Sequence, residues 1–374
     1  MASSYRCSSA RNAAQRQLGA LLFAALLPMG SASASEWPLE RWAGDGRASA
    51  SSTQPAPSLP RIGASRPWTL CAVYPHLKDS YWLAVNFGMV EEARALGLGL
   101  RVLEGAGYEA LERQRRSVTE CLTDGRVDAL LVGTVSFAGL NDLLAPQRAQ
   151  RPVIGLVNDI DAEAVRAKIG VPWYQLGWQI GRWLAERHPA GAPAVEVAWL
   201  PGPLDANWVV VVDRGFRAAI ADSAVRIATV RGGDTGRSIQ RQLVEEVLDA
   251  HTGLAYLVGN APMAEAAVAE LRRRGREDAV GIVSLYVTPG VYSGLLRGRI
   301  QVSVSDFPVL QGRLAVRQAL HALEGRALEP YLGPRVERVD ADALARYPVD
   351  WMLPPAGFVP VYEVAPAQAT PARP

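Results

Sequence analysis

From Trp68 onward the chain alternates short apolar runs with longer stretches of helical periodicity. Thr69–Tyr74 reads as a strand, and Ser80–Ala95 as a helix with Tyr81, Val85, Met89 and Ala93 on one face and Gly97 as its stop. The spacing then predicts a strand at Leu98–Leu103, a helix near Leu111–Thr123 and a strand at Ala129–Val132. A short helix near Ala138–Ala145 and a strand at Val153–Leu156 follow. The rhythm restarts with a helix at Tyr174–Arg187, a strand at Val195–Leu200, a helix at Trp208–Ala221 and a strand at Val225–Val230. Ile239, Leu243, Val244 and Val247 mark the buried face of another helix. Ala255–Val258, Val280–Leu285 and Ile300–Val304 read as strands, and Ala264–Arg273 and Val309–Leu323 as helices, the last closed by Gly325. Strand–helix alternation of this kind builds parallel sheets covered on both faces. Two successive doubly wound, Rossmann-like α/β lobes joined by a multi-strand hinge account for it, with a ligand cleft between them at the C-terminal ends of the strands.

The pattern changes before residue 67. Arg6, Arg11 and Arg16, the apolar run Leu18–Leu27 and then Ala32-Ser33-Ala34 form the order expected of a secretory signal peptide over residues 1–34. The run is well short of the ~20 residues that span a bilayer. Residues 35–66 read as an N-terminal extension: Trp37, Leu39 and Trp42 are placed to dock on the body or a partner, and 44–66 is a flexible Ser-, Ala-, Gly- and Pro-rich lead-in. The domain reading assigns 67–171 plus 286–306 to an N-terminal lobe, 172–285 plus 307–365 to a C-terminal lobe, and 366–374 to a tail. Crossovers around 171–173, 284–288 and 305–309 are the expected hinges.

Composition narrows the function. The 374 residues carry 49% hydrophobic and 20% charged side chains and a formal net charge of +2, an ordinary globular balance. Losing the leader removes three arginines and no acid, so no basic excess remains for a nucleic acid. It also removes Cys7. Cys71 and Cys121 then form either one disulfide or two separate buried thiols, and both readings stand. His76, His188, His251 and His321 are scattered, with no CxxC or HxxxH, so neither a metal nor another cofactor is expected. Neither GxSxG, HExxH nor a Walker loop is present, and no GxGxxG follows a strand, so the reading is not of an enzyme.

Several segments carry a resemblance. Val85–Gly97 (VNFGMVEEARALG), Val171–Ala185 (VPWYQLGWQIGRWLA) and Phe307–Gly325 (FPVLQGRLAVRQALHALEG) resemble the first helix, first crossover and penultimate helix of type I periplasmic binding proteins. Leu70–Met89, Val102–Tyr108, Leu156–Asp161, Gly170–Tyr174, Leu200–Pro203 and Gly357–Tyr362 are together similar to that superfamily's periplasmic sensors of trimethylamine N-oxide. The resemblance implies a non-enzymatic periplasmic receptor. Its partners would be trimethylamine N-oxide and the periplasmic sensor domain of a TorS-type membrane histidine kinase controlling trimethylamine N-oxide reductase. Such a receptor is peripheral to the inner membrane through that partner alone; residues 36–43 and exposed faces of the first lobe are the candidate contact surface.

Trimethylamine N-oxide presents three methyls around a positively polarised nitrogen, suited to aromatic faces, and one strongly accepting oxygen. The resemblance places ligand-contacting groups at Asp79, Tyr81, Trp82, Tyr108, Trp173 and Tyr286. Adjacent Tyr81 and Trp82 read equally as core rings, whereas Tyr108 and Trp173, flanked by Gly and Pro, favour the cleft. Asp79 also reads as a helix cap. Tyr74 is a lesser candidate, and Asp306 fits hinge support as well as ligand contact. Trp178, Trp183, Trp199, Trp208 and Tyr292 are assigned to packing or surface. The rival reading is a binding protein for a sugar or other small solute feeding an ABC transporter. Sugar sites, however, need a dense set of Asp, Asn and Arg that the Val-Pro-Trp-Tyr-Gln crossover lacks.

Overall fold

A computed structural model describes residues 37–42 and 53–367; the expected signal peptide, Cys7 and residues 368–374 lie outside them. The chain opens with β1 (Leu39–Trp42), β2 (Thr53–Ala56), β3 (Thr69–Tyr74), α1 (Ser80–Ala95), β4 (Gly99–Glu104), α2 (Leu111–Thr123) and β5 (Ala129–Val132). There follow α3 (Asn141–Leu144), β6 (Val153–Val157), β7 (Ala167–Gly170), α4 (Trp173–Arg187), β8 (Val195–Leu200), α5 (Asn207–Ile220) and β9 (Val225–Val230). Next come α6 (Arg237–Ala250), β10 (Tyr256–Gly259), α7 (Ala261–Arg273), β11 (Gly281–Ser284), α8 (Pro289–Leu296) and β12 (Ser303–Ser305). The chain closes with α9 (Pro308–Leu323), β13 (Tyr331–Pro334), β14 (Glu337–Val339), α10 (Val349–Met352) and β15 (Glu363–Val364).

The first lobe is built on a nine-stranded sheet in the order β15-β4-β3-β5-β6-β7-β13-β1-β2. Its middle, from β4 to β13, is parallel, and β15, β1 and β2 add antiparallel edges. Strands such as Ala129–Val132 and Val153–Val157 are buried at every position, as a sheet covered on both faces requires. The second lobe carries a parallel sheet, β11-β10-β8-β9. A separate antiparallel pair, β12 with β14, lies among the connections.

Each lobe has one helix pair in which glycines face backbone. A Cβ on Gly88 of α1 would fall 2.0 Å from the Val309 carbonyl oxygen, and one on Gly312 of α9 would fall 2.3 Å from that of Val85. The second lobe repeats the device with Gly177 of α4 and Gly215 of α5, 2.0 and 2.1 Å from the Val212 and Tyr174 oxygens. The four consecutive valines from Val209 would suit a strand by propensity. Packing of this segment on α4 makes it a helix instead.

The returning segments reverse the expected domain assignment. Residues 286–306 stay with the second lobe, because α8 packs on α7 and Val302 bridges Val283 beside β11. Most of 307–365 joins the first lobe: α9 packs on α1, β13 pairs with β7, and β15 pairs with β4. An apolar run encodes that a strand forms, whereas its sheet is chosen by long-range pairing, so local pattern could not tell them apart. For the same reason 284–288 is no crossover; it leads from β11 into α8. The chain does cross between lobes at 171–172 and 305–307.

Of the two docking readings for Trp37, Leu39 and Trp42 the body is the one realised, while the flexible lead-in expected over 44–66 is corrected over its described part, 53–66. Trp42 is buried, β1 and β2 extend the first sheet, and Arg61 binds the Glu92 carboxylate through both Nε and Nη2 at 2.7 Å. Arg317 holds the same carboxylate and donates to the Leu59 carbonyl, strapping this segment over α1 and α9. Pro366 and Ala367, expected in the tail, lie against Gly97 and Gly99. Cys71 of β3 and Cys121 of α2 are disulfide-bonded, fastening that helix to the sheet. Among the described residues no helix is long and apolar enough to cross a membrane, and no group of three metal-capable side chains occurs.

Candidate functional site

Between the lobes lies a small cavity. Asp79, Tyr81, Trp82, Tyr108, Trp173 and Tyr286 all stand on its wall, joined by Val157, Asn158, Trp208 and Thr235. The first lobe contributes the start of α1. Asp79 caps that helix, its Oδ1 accepting the Tyr81 amide at 2.9 Å, so the capping and cleft-facing readings hold together. Its Oδ2 accepts the Tyr286 hydroxyl at 2.8 Å, a bond that spans the two lobes. Burial pushes the Asp79 carboxyl up to about 6, against the opposing pull of the Tyr81 amide and the Tyr286 hydroxyl.

Tyr81 and Trp82 both turn to the cleft. The Tyr81 hydroxyl donates to Asp306 Oδ2 at 2.6 Å and accepts from Gln311 Nε2 at 3.2 Å, and its ring meets Tyr286 edge-on at 5.3 Å. Asp306 therefore acts through Tyr81 and lies off the wall; burial lifts its carboxyl to about 6 as well. Tyr74 stands behind the site too, its ring 5.5 Å from Trp82 and its hydroxyl donating to the Met89 sulfur at 2.8 Å.

Tyr108 is delivered by a turn in which Ala106 and Gly107 have φ of 77° and 136°. Its hydroxyl oxygen accepts from Asn158 Nδ2 at 3.2 Å, which leaves the phenolic proton able to donate elsewhere. Trp173 opens α4 directly after Pro172, and its Nε1 donates to the Val157 carbonyl at 3.3 Å. Val157 has φ of 62°, a strained setting for a β-branched residue. Trp208 completes the box, its ring 5.2 Å from Trp173 and 6.2 Å from Tyr108. The buried Trp208 Nε1 has no acceptor among the described residues.

Trp208 was expected in packing and is a correction. It sits in the first turn of the helix after β8, the same strand–loop–helix position that Tyr81 and Trp82 hold after β3, and that symmetry was the available signal. Asn158 and Thr235 lie on loops with no comparable mark. The wall thus holds six aromatic rings, one carboxyl and no basic side chain. Such a box suits a small methylated, positively polarised group through cation–π attraction. Unused N–H and O–H donors on Trp208 and Tyr108 suit a single strong acceptor. A polyhydroxylated sugar would leave most of its hydroxyls unpaired here.

The family described as "Periplasmic binding proteins and sugar binding domain of LacI family" matches residues 67–344. The chain is 42% identical over 303 residues to the periplasmic protein TorT of Escherichia coli (strain K12), covering 80% of this chain and 86% of that one. The crystal structure of the TorS sensor domain–TorT complex in the presence of TMAO is 37% identical with a TM-score of 0.73, covering 79% of this chain and 99% of that one. An ABC transporter solute binding protein from Bradyrhizobium sp. BTAi1 with bound bis-tris is 38% identical with a TM-score of 0.75, covering 87% and 98%.

Proposed function

The chain belongs to the family of periplasmic binding proteins and LacI-type sugar-binding domains, in its TorT branch, and from that membership we propose that it is a periplasmic receptor for trimethylamine N-oxide. It reports occupancy to the periplasmic domain of a TorS-type membrane sensor histidine kinase, and through it sets expression of trimethylamine N-oxide reductase. The observation that carries this reading is the aromatic box with one buried carboxyl and no cation. The rings hold the trimethylated nitrogen at ~0.5–2 kcal/mol each. The oxide oxygen accepts hydrogen bonds from the Tyr108 hydroxyl and Trp208 Nε1, both otherwise unspent among the described residues, while Asp79 complements the positive end.

Binding draws the lobes together, and the kinase domain reads the change in closed population. No bond of the ligand is broken; the protein acts by recognition alone. The rival, transport of a small solute through an ABC permease, has the Bradyrhizobium likeness in its favour. The cavity weighs against a sugar as the cargo, because its polar groups are few. The test is calorimetric titration of the protein with trimethylamine N-oxide, trimethylamine and D-ribose, repeated with Trp173→Ala and with the kinase sensor domain present. Saturable binding of the oxide alone, weakened by Trp173→Ala, is the expected result. Binding of ribose in place of the oxide would overturn it.

A further inference from the structure

The sequence contains only two lysines, Lys78 and Lys168, among 39 basic residues, and both stand where the lobes meet. Lys78 of the first lobe pairs with Asp234 of the second at 2.9 Å, on the partly exposed rim. Lys168 is wholly buried on β7 and forms an ion pair with Asp159, whose side chain is also wholly buried. Space for its stem is built in: a Cβ on Gly170 would come 3.1 Å from the Lys168 Cε.

The second oxygen of Asp159 reaches across the cleft and accepts Nδ2 of Asn207 at 3.0 Å. Asn207 is the first residue of α5, and its neighbour Trp208 is the wall residue with the unpaired indole N–H. The cap residue of α5, Ala206, supplies no side-chain oxygen. A carboxylate near that helix start therefore also complements the positive end of the helix. Asp159 and Lys168 both belong to the first lobe, so their pairing does not depend on closure, while the bond to Asn207 does.

Resting on the trimethylamine N-oxide reading, we infer that Asp159, fixed by Lys168, is an anchor that captures Asn207 when the lobes close and so sets Trp208 in place. Asn207 is then a positioning residue: it sets ligand affinity without lining the cavity. Removal of its donor favours the open form. A carboxylate in its place faces Asp159 and opposes closure outright.

The experiment compares wild type with Asn207→Ala and Asn207→Asp by small-angle X-ray scattering and by binding kinetics with trimethylamine N-oxide. Thermal unfolding without ligand checks that both variants fold, since Asn207 is half-buried and open to water once the lobes part. Expected is a larger radius of gyration in the order wild type, Ala, Asp. Affinity should fall about tenfold for Ala and about a hundredfold for Asp, through faster release. Scattering unchanged in Asn207→Asp, or variant affinities equal to that of a wild type that does bind, would overturn the anchor. A wild type that fails to bind the oxide while Asn207→Asp still opens would remove the ligand assignment and leave the anchor standing.

Discussion

The bond from Tyr286 to Asp79 gives the sharpest test of the site, because a single oxygen atom can be removed from it. Tyr286→Phe keeps the ring that meets Tyr81 edge-on and deletes the hydroxyl that crosses from one lobe to the other at 2.8 Å. Hydrogen bonds to a charged partner contribute about 1.5–3 kcal/mol, against about 0.5–1.5 kcal/mol for a neutral pair. Asp79 titrates at about 6, so near pH 8 it is ionised and the lost bond is of the strong kind. Closure, and with it ligand affinity, should weaken about tenfold to a hundredfold there. Near pH 5.5 the carboxyl is mostly protonated and the deficit should shrink to about threefold to tenfold. The variant also loses one of the groups that hold this carboxyl down, so its own titration moves further up. Calorimetric titration with trimethylamine N-oxide at both pH values checks the argument. An equal loss at the two pH values, or none at either, would refute the assignment of Asp79 as the carboxylate that holds the lobes together.

Two stability predictions follow from groups outside the ligand's reach. His76 is buried against Tyr108 and titrates at about 4, lowered chiefly by burial and then by Lys78, with Asp234 opposing. Its unfolded form takes a proton first, so the stability it carries is complete above about pH 6.5 and declines as pH falls toward 4, by about 3 kcal/mol. Urea unfolding should show His76→Gln converging on or overtaking wild type as pH falls through that window; parallel profiles would refute it. The Cys71–Cys121 bond closes a loop with a sequence separation of 50. In the chain-entropy account, the double Ala variant should lose about 4 kcal/mol of unfolding free energy, and a loss under about 1 kcal/mol would count against that account.

Much of the fold was legible because its signals are local and strong. The helix at Leu111–Thr123 and the strand at Ala129–Val132 have the expected bounds, set by a polar break at Asp124-Gly125 and a fully apolar run. Lys168 hid β7, since a lone lysine in a four-residue strand makes no apolar run. β13 and β15 are short, and their sheet is decided by pairing more than a hundred residues away along the chain, at Lys168 and Arg101. At the cleft, Gly and Pro flanks marked Tyr108 and Trp173 because loops that present rings need those residues. Trp208, by contrast, is followed by four valines, and a helix so apolar gave its tryptophan a packing role by default. Asp306 kept two readings open in the sequence, and the 2.6 Å bond from Tyr81 places it behind the ring.

The wall rings are tied to the places where the chain changes lobe, and that arrangement explains how so small a solute could be reported. Tyr81 holds Asp306, and the next residue, Phe307, sits in the left-handed region with φ of 54° immediately before α9. Trp37 of the N-terminal arm packs on Phe307 with ring centroids 4.2 Å apart, and its Nε1 donates to the Arg335 carbonyl beside β13. Trp173 is the residue that completes the crossing at 171–172. A ligand that sets Tyr81 and Trp173 therefore acts within one or two residues of two crossings, and the arm lies directly over one of them. Such a solute can bias closure only by the difference in its affinity for the open and closed forms. A partner that docks on the closed form, or on the arm once the hinge has moved, must raise ligand affinity by the same factor that the ligand raises docking. On this geometry Trp37→Ala, off the cavity wall, should change the coupling between ligand and kinase domain more than it changes binding to the isolated receptor. Calorimetry with and without the kinase domain measures that difference, and equal losses in the two titrations would mean that the arm is merely structural.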